Sequence, residues 1–220
     1  CTGLLKAYDA QGQPVSTPLA VSLPPLGRRQ IDTAGLFTGN MTIASMVYES
    51  ASPGASGYVK FSLPGVNRAA VPATTTTASG EFLLPHIAST PSWWTGIALK
   101  NTSIVKKTLV LELNDGSTAQ IDLGPRAQRA FLIRDLFDGQ PLPQATTGRI
   151  RNADKVAGLM LFGNDTQLAG VSLSGQTRTS LVFPHIVDDA RWWTGVVLHN
   201  PANATAQVAL SPHTDQASAL

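Results

Sequence analysis

The phrase PHIASTPSWWTGIALKN at residues 85–101 returns as PHIVDDARWWTGVVLHN at 184–200. His86 and His185, Trp93 and Trp192, and Asn101 and Asn200 are each 99 residues apart, so the phrase recurs without insertion. An internal repeat restricts the fold more than any local pattern does, because every copy must build the same unit and bury its apolar face in the same way. Further landmarks extend the match. LPPLGRRQIDTAGLF at 23–37 answers LGPRAQRAFLIRDLF at 123–137, and SGYVKFSLPG from Ser56 answers AGLMLFGNDT from Ala157, each at a displacement near 100 residues. Residues 81–181 therefore form one complete unit. Residues 1–80 form a second unit without its opening phrase, and residues from 182 to about 210 are an opening phrase without its remainder.

The complete unit reads as short apolar or alternating runs bounded by turn residues: 82–87, 96–101, 108–113, 118–123, 130–134, 148–152, 156–162 and 168–173. Helical periodicity is absent almost throughout. Asn114-Asp115-Gly116 supplies the positive φ that a tight hairpin needs, and YDAQGQ at 8–13 does the equivalent work in the other unit. RDLFDG at 134–139 is expected to form one helical turn that sets Leu136 and Phe137 against one end of the core. With 19 glycines, 15 prolines and only 14% charged residues, the chain has the composition of a turn-rich all-β protein. About eight strands in about 100 residues predict a Greek-key sandwich of the immunoglobulin type. The expected fold is two tandem sandwich units joined by the small, polar linker 73–80.

Composition also narrows the partners. A net charge of +2 without clustered Lys and Arg argues against nucleic acid. No apolar run is long enough to span a bilayer, and the single cysteine, Cys1, cannot close an internal disulfide. A cysteine at position 1 suits a lipid anchor on a processed lipoprotein.

The arrangement resembles the tandem β-sandwich repeats of uncharacterised bacterial secreted and surface proteins, whose units open on an F/L-P-H phrase, continue through W-T-G to an asparagine, and later carry Y-D-x-x-G. The likeness is carried by Pro85, His86, Trp94, Thr95, Gly96 and Asn101, by their copies Pro184, His185, Trp193, Thr194, Gly195, Asn200 and Pro201, and by Tyr8, Asp9 and Gly12. It implies an extracellular, non-catalytic module with no cofactor.

A sandwich without its first two strands exposes a cleft and unpaired edges that native proteins cover. Three arrangements satisfy residues 1–80: the chain's own segment 182–220 folds back; that segment inserts into a neighbouring molecule, head to tail, to give a filament; or the chain is part of a longer array.

The candidate ligand or interface residues are His86, Trp93, Trp94, His185, Trp192 and Trp193. Neighbouring residues on a strand face opposite ways, so one Trp of each pair is expected in the core and the other outside, where it covers an edge or stacks on a sugar. The alternative functions are therefore a carbohydrate-binding module and a filament subunit. No metal-ligand spacing surrounds the histidines. GVSLSG at 170–175 lacks the closing glycine of a nucleophile elbow and falls in an expected strand. RRQ at 28–30 and RAQR at 126–129 occupy corresponding loops, and their four arginines are expected as solvated caps rather than a basic rim. The expected function is a structural or adhesive module on the cell surface that associates with itself or with another surface protein.

Overall fold

A computed structural model describes the chain except for residues 33–41, 52–53, 64–66, 75–79, 191–193 and 212–220. The chain divides into two compact bodies, Cys1–Pro184 and His185–Leu220. All 13 strands lie in the first, in four antiparallel sheets, and no α-helix occurs among the described residues.

The complete repeat contributes β6 (Glu81–Leu84), β7 (Trp94–Asn101), β8 (Lys107–Leu113), β9 (Thr118–Leu123), β10 (Gln128–Leu132), β11 (Gly148–Arg151), β12 (Val156–Gly163) and β13 (Leu168–Ser172), after β1 to β5 of the first repeat, given below. Every strand expected from the sequence is present. Their strict alternation decides which face is buried: in β7, Thr95, Ile97, Leu99 and Asn101 point inward, and in β8, Leu109, Leu111 and Leu113 do so. Two four-stranded sheets, in the orders β10-β7-β12-β13 and β6-β11-β8-β9, share one core. One sheet sends Ile97, Leu99, Val156 and Met160 into it; the other sends Phe82, Leu84, Leu111, Ile121 and Ile150. The β8–β9 hairpin turns at Gly116, whose φ is +90°, and closes with a 2.9 Å bond from the Leu113 N–H to the Ser117 carbonyl. The helical turn expected near 134–139 is a 3-10 turn at Ile133–Leu136, with Ile133 fully buried and Leu136 and Phe137 packed on the core's edge.

Asn101 is a polar residue with no exposed surface, deep at the end of β7. Its Nδ2 donates to the carbonyls of Val105 (2.7 Å) and Gly124 (2.8 Å), while its Oδ1 accepts from the Ser103 N–H (2.9 Å). One amide thus ties the end of β7 to the β9–β10 turn, and complete satisfaction makes its burial tolerable.

The first repeat contributes β1 (Thr2–Tyr8), β2 (Leu19–Ser22) and β3 (Ser45–Ser50) in a sheet of order β2-β1-β3, and β4 (Tyr58–Leu63) with β5 (Asn67–Pro72) as a two-stranded sheet. These are the counterparts of β9-β8-β11 and of β12-β13. The β1 hairpin repeats the β8 hairpin bond for bond, with the Asp9 N–H on the Gln13 carbonyl (3.0 Å) and Gly12 at φ +84°. Phe61 pairs with Ala69 as Phe162 pairs with Ala169, and Val59 with Val71 as Met160 with Val171. The β2 exit also matches: the Gly27 N–H bonds the Pro24 carbonyl as that of Ala127 bonds Gly124, with Leu26 and Arg126 at φ +58° and +54°. The landmarks Leu36 and Phe37, and most of the linker, lie outside the described residues.

Candidate functional site

Two features of the folded repeats point to function, and both belong to the first repeat: the hairpin that docks it on the second, and two sheet edges left open.

The hairpin 8–13 sits on the β9–β10 turn of the complete repeat. The Gln128 N–H donates to the Ala10 carbonyl (2.9 Å), and the Lys100 ammonium lies 4.3 Å above the Tyr8 ring while donating to the Arg126 carbonyl. Asp9 Oδ1 accepts the Gln13 N–H (2.8 Å), which fixes the turn. Gly12 meets the turn so closely that a β-carbon there would stand 2.5 Å from the Arg126 carbonyl oxygen and 2.6 Å from that of Pro125. Nearby, β5 runs against β13, and Ser172 Oγ donates to the Pro72 carbonyl (2.9 Å). RAQR contributes here through backbone: the Gln128 N–H bonds the hairpin, and the Arg126 carbonyl lies against Gly12.

Burial at this junction holds Lys100 down from its ordinary 10.5 to about 8, with Arg126 pushing the same way and Asp9 opposing both. Between pH 8 and 10.5 the unfolded chain binds more protons at this lysine than the folded chain does, so stability rises with pH across that window. Lys6 shifts the other way, raised by its hydrogen bond to Glu49. Urea unfolding at a series of pH values is expected to show the intact chain gaining stability from pH 8 to 10.5 relative to Lys100→Met, with the difference constant below about pH 7.5.

The open edges follow from strand order. In the complete repeat β11 lies between β6 and β8, and β12 lies between β7 and β13. Among the described residues, β3 pairs with β1 alone and β4 with β5 alone. The consequence appears in the side chains. Met46 is 37% exposed where its counterpart Ile150 is 0%, and Val59 is 40% exposed where Met160 is 0%. Among the described residues no strand fills the two positions that β6 and β7 take in the complete repeat; β7 lies in the phrase that recurs at 184–200, and β6 aligns with the apolar residues Leu181–Phe183 just before it.

The sequence-predicted residues divide accordingly. His86 is half-buried, with its ring edge-on to Phe162 at 5.0 Å. Trp93 and Trp94 are both half-buried, so neither enters the fully buried core. The expected alternation requires both on a strand, but Trp93 lies in the turn before β7, held by Thr90, whose Oγ1 accepts its N–H at 3.1 Å; only Trp94 is in the strand. His185 is exposed, and Trp192 and Trp193 lie outside the described residues. The second phrase nevertheless keeps the first one's local bonds. Thr95 Oγ1 spans the Ala88 N–H and carbonyl at 2.8 and 3.0 Å, and Thr194 Oγ1 spans those of Val187 at 3.0 and 2.8 Å. Asn200 Nδ2 donates to the Ala204 carbonyl (2.7 Å) as Asn101 does to Val105. The described residues 194–200 form no strand, and Val196 and Leu198 are 42% and 41% exposed where Ile97 and Leu99 are buried. Sequence reading did not single out Gly12 or Lys100 as junction residues; Tyr8-Asp9-x-x-Gly12 marked the hairpin but not what it touches.

No protein-family model matches the chain, and searches of curated proteins and of solved structures found no similar protein.

Proposed function

We propose that this chain is a non-catalytic structural and adhesive module of the bacterial cell surface, built from immunoglobulin-like sandwich repeats, whose open first repeat is completed by strands from the segment 182–220. It works by holding molecules together, with itself or another surface protein as partner. One observation carries the reading: among the described residues β3 and β4 lack the neighbours that β6 and β7 supply in the complete repeat, and the sequence of β7 recurs at 193–200 behind an apolar stretch in the place of β6. Sheet edges with apolar flanks are templates for added strands, and main-chain pairing plus inward side chains would supply the affinity.

Light scattering and urea unfolding on the intact chain and on a version ending at residue 181 test it. The shortened chain is expected to lose either its assembly or the stability of residues 1–80. If neither mass nor stability changes, the reading is wrong.

A further inference from the structure

We propose that the junction between the two repeats is a binding site for a hydroxylated organic monocarboxylate the size of one uronic acid ring, with Arg126 and Lys100 taking the carboxylate and Glu49 the hydroxyls. The inference goes beyond the adhesive reading and does not depend on what fills the open edges.

The site is a cavity of about 280 Å³ between β1 and β3 of the first repeat and the end of β7 and the β9–β10 turn of the second. Strand alternation turns Lys6 and Tyr8 of β1 away from the buried Gly3 and Ala7, and the antiparallel register puts Glu49 of β3 on the same face. Lys100 reaches this face from β7, and Arg126 from the turn. A space of this size takes one sugar ring or one short acid, and lies just under the range of drug-sized pockets.

The charges in the cavity are incompletely matched. Lys6 is held by Glu49 at 2.5 Å. Lys100 donates to the Arg126 carbonyl and lies over the Tyr8 ring, but has no carboxylate at ion-pair distance among the described residues. The Arg126 guanidinium has neither an ion pair nor a hydrogen bond among them. It nevertheless stands close enough to Lys6 and Lys100 to disfavour the charge on both. Burial has brought Lys100 down to about 8, as expected of an ammonium drawn out of water with Asp9 acting only from a distance. An anion seated between Lys100 and Arg126 answers both groups.

The repeat itself does not require these side chains. Hairpin and strand register match Lys6 with Val110, and Leu26 holds at φ +58° the turn position that Arg126 holds at +54°. The Arg126 carbonyl serves the junction, whereas its guanidinium ties nothing together.

The carboxylates select among anions. Sulfate brings only acceptors, so it is repelled by Glu49 and Asp9 as it approaches the cations. A ligand with a single carboxylate and several hydroxyls satisfies both signs: the carboxylate accepts from the guanidinium fork and the ammonium, and the hydroxyls donate to Glu49. A neutral sugar leaves the cations unanswered.

The test is calorimetric titration of the full-length chain at neutral pH with D-glucuronate, beside D-glucose, acetate and sulfate at equal ionic strength. Saturable binding of glucuronate, at least about tenfold tighter than that of acetate or sulfate, with none of glucose, is the expected result. Arg126→Leu should weaken it by about 10-fold to 150-fold. Arg129→Leu, in the same segment but outside the cavity and over the Phe131 ring, should bind as the parent does. Glu49→Ala should erase the preference for glucuronate over acetate, which has no hydroxyl to lose. Circular dichroism of each variant checks the fold, and the matching turn already accepts leucine. Equal affinity for acetate or sulfate, no saturable heat with glucuronate, or unchanged binding in both Arg126→Leu and Glu49→Ala would overturn the assignment.

Discussion

Gly12→Val should detach the first repeat from the second, while Gly116→Val, the same change at the matching hairpin, should act only locally. Both glycines have positive φ, +84° and +90°, so a β-branched side chain strains either turn by about 1–2 kcal/mol. The difference lies in what surrounds them. At Gly12 the new atoms would run into the backbone of Pro125 and Arg126, which no rotamer change can clear, whereas Gly116 faces open space. Overpacking against backbone adds about 1–3 kcal/mol. Lifting the hairpin also forfeits the Gln128–Ala10 bond, at about 1 kcal/mol, and the Lys100–Tyr8 contact, at about 0.5–1 kcal/mol. The expected gap between the two variants is about 2.5–5 kcal/mol. Limited proteolysis within residues 1–80, read as a cleavage rate, should rise by roughly 70-fold to 5,000-fold more for Gly12→Val than for Gly116→Val. Equal rates would mean that the hairpin contact does not hold the repeats together.

The second large effect concerns the carboxy-terminal phrase. Val196→Asp with Leu198→Asp should abolish assembly without unfolding the parent chain. Their counterparts Ile97 and Leu99 are inward residues of a central strand, so in a completed repeat each aspartate would enter an apolar core unpaired. Two such burials cost at least about 4 kcal/mol together, which weakens association roughly a thousandfold. In the unassembled chain both residues are already exposed, and no comparable cost arises. Light scattering across a concentration series is expected to show growing mass for the intact chain and monomer for the variant, with equal circular dichroism. Assembly of both to the same extent would show that this face of the phrase stays outside any interface.

The fold was legible where it depends on local chemistry. Alternation in KTLVLEL and the Asp-Gly turn specify β8 and its hairpin from residues a few places apart, and the matching YDAQGQ turn forms the same bonds. The repeat period carried long-range information that no single strand holds, since it matched β1 to β5 with counterparts about a hundred residues further on. What sequence did not reveal depends on docking. Lys100 is one more outward residue of an alternating strand, and its sequence neighbours do not show that the Tyr8 ring comes under its ammonium or that burial lowers its pKa. Gly12 reads as an ordinary turn glycine, although it also makes room for Arg126. At the first pair the tryptophan alternation failed for a local reason, because Thr90 accepts the Trp93 N–H in a turn that holds Trp93 outside the strand register.

Hydrogen exchange of the full-length chain at concentrations where it assembles tests strand completion most directly. Amides of residues 194–200 and of β4 should be protected to the degree of their counterparts in β7 and β12, and that protection should vanish in the Val196→Asp, Leu198→Asp chain. Exchange of residues 194–200 at the rate of an open peptide, in assembled and variant chains alike, would contradict it.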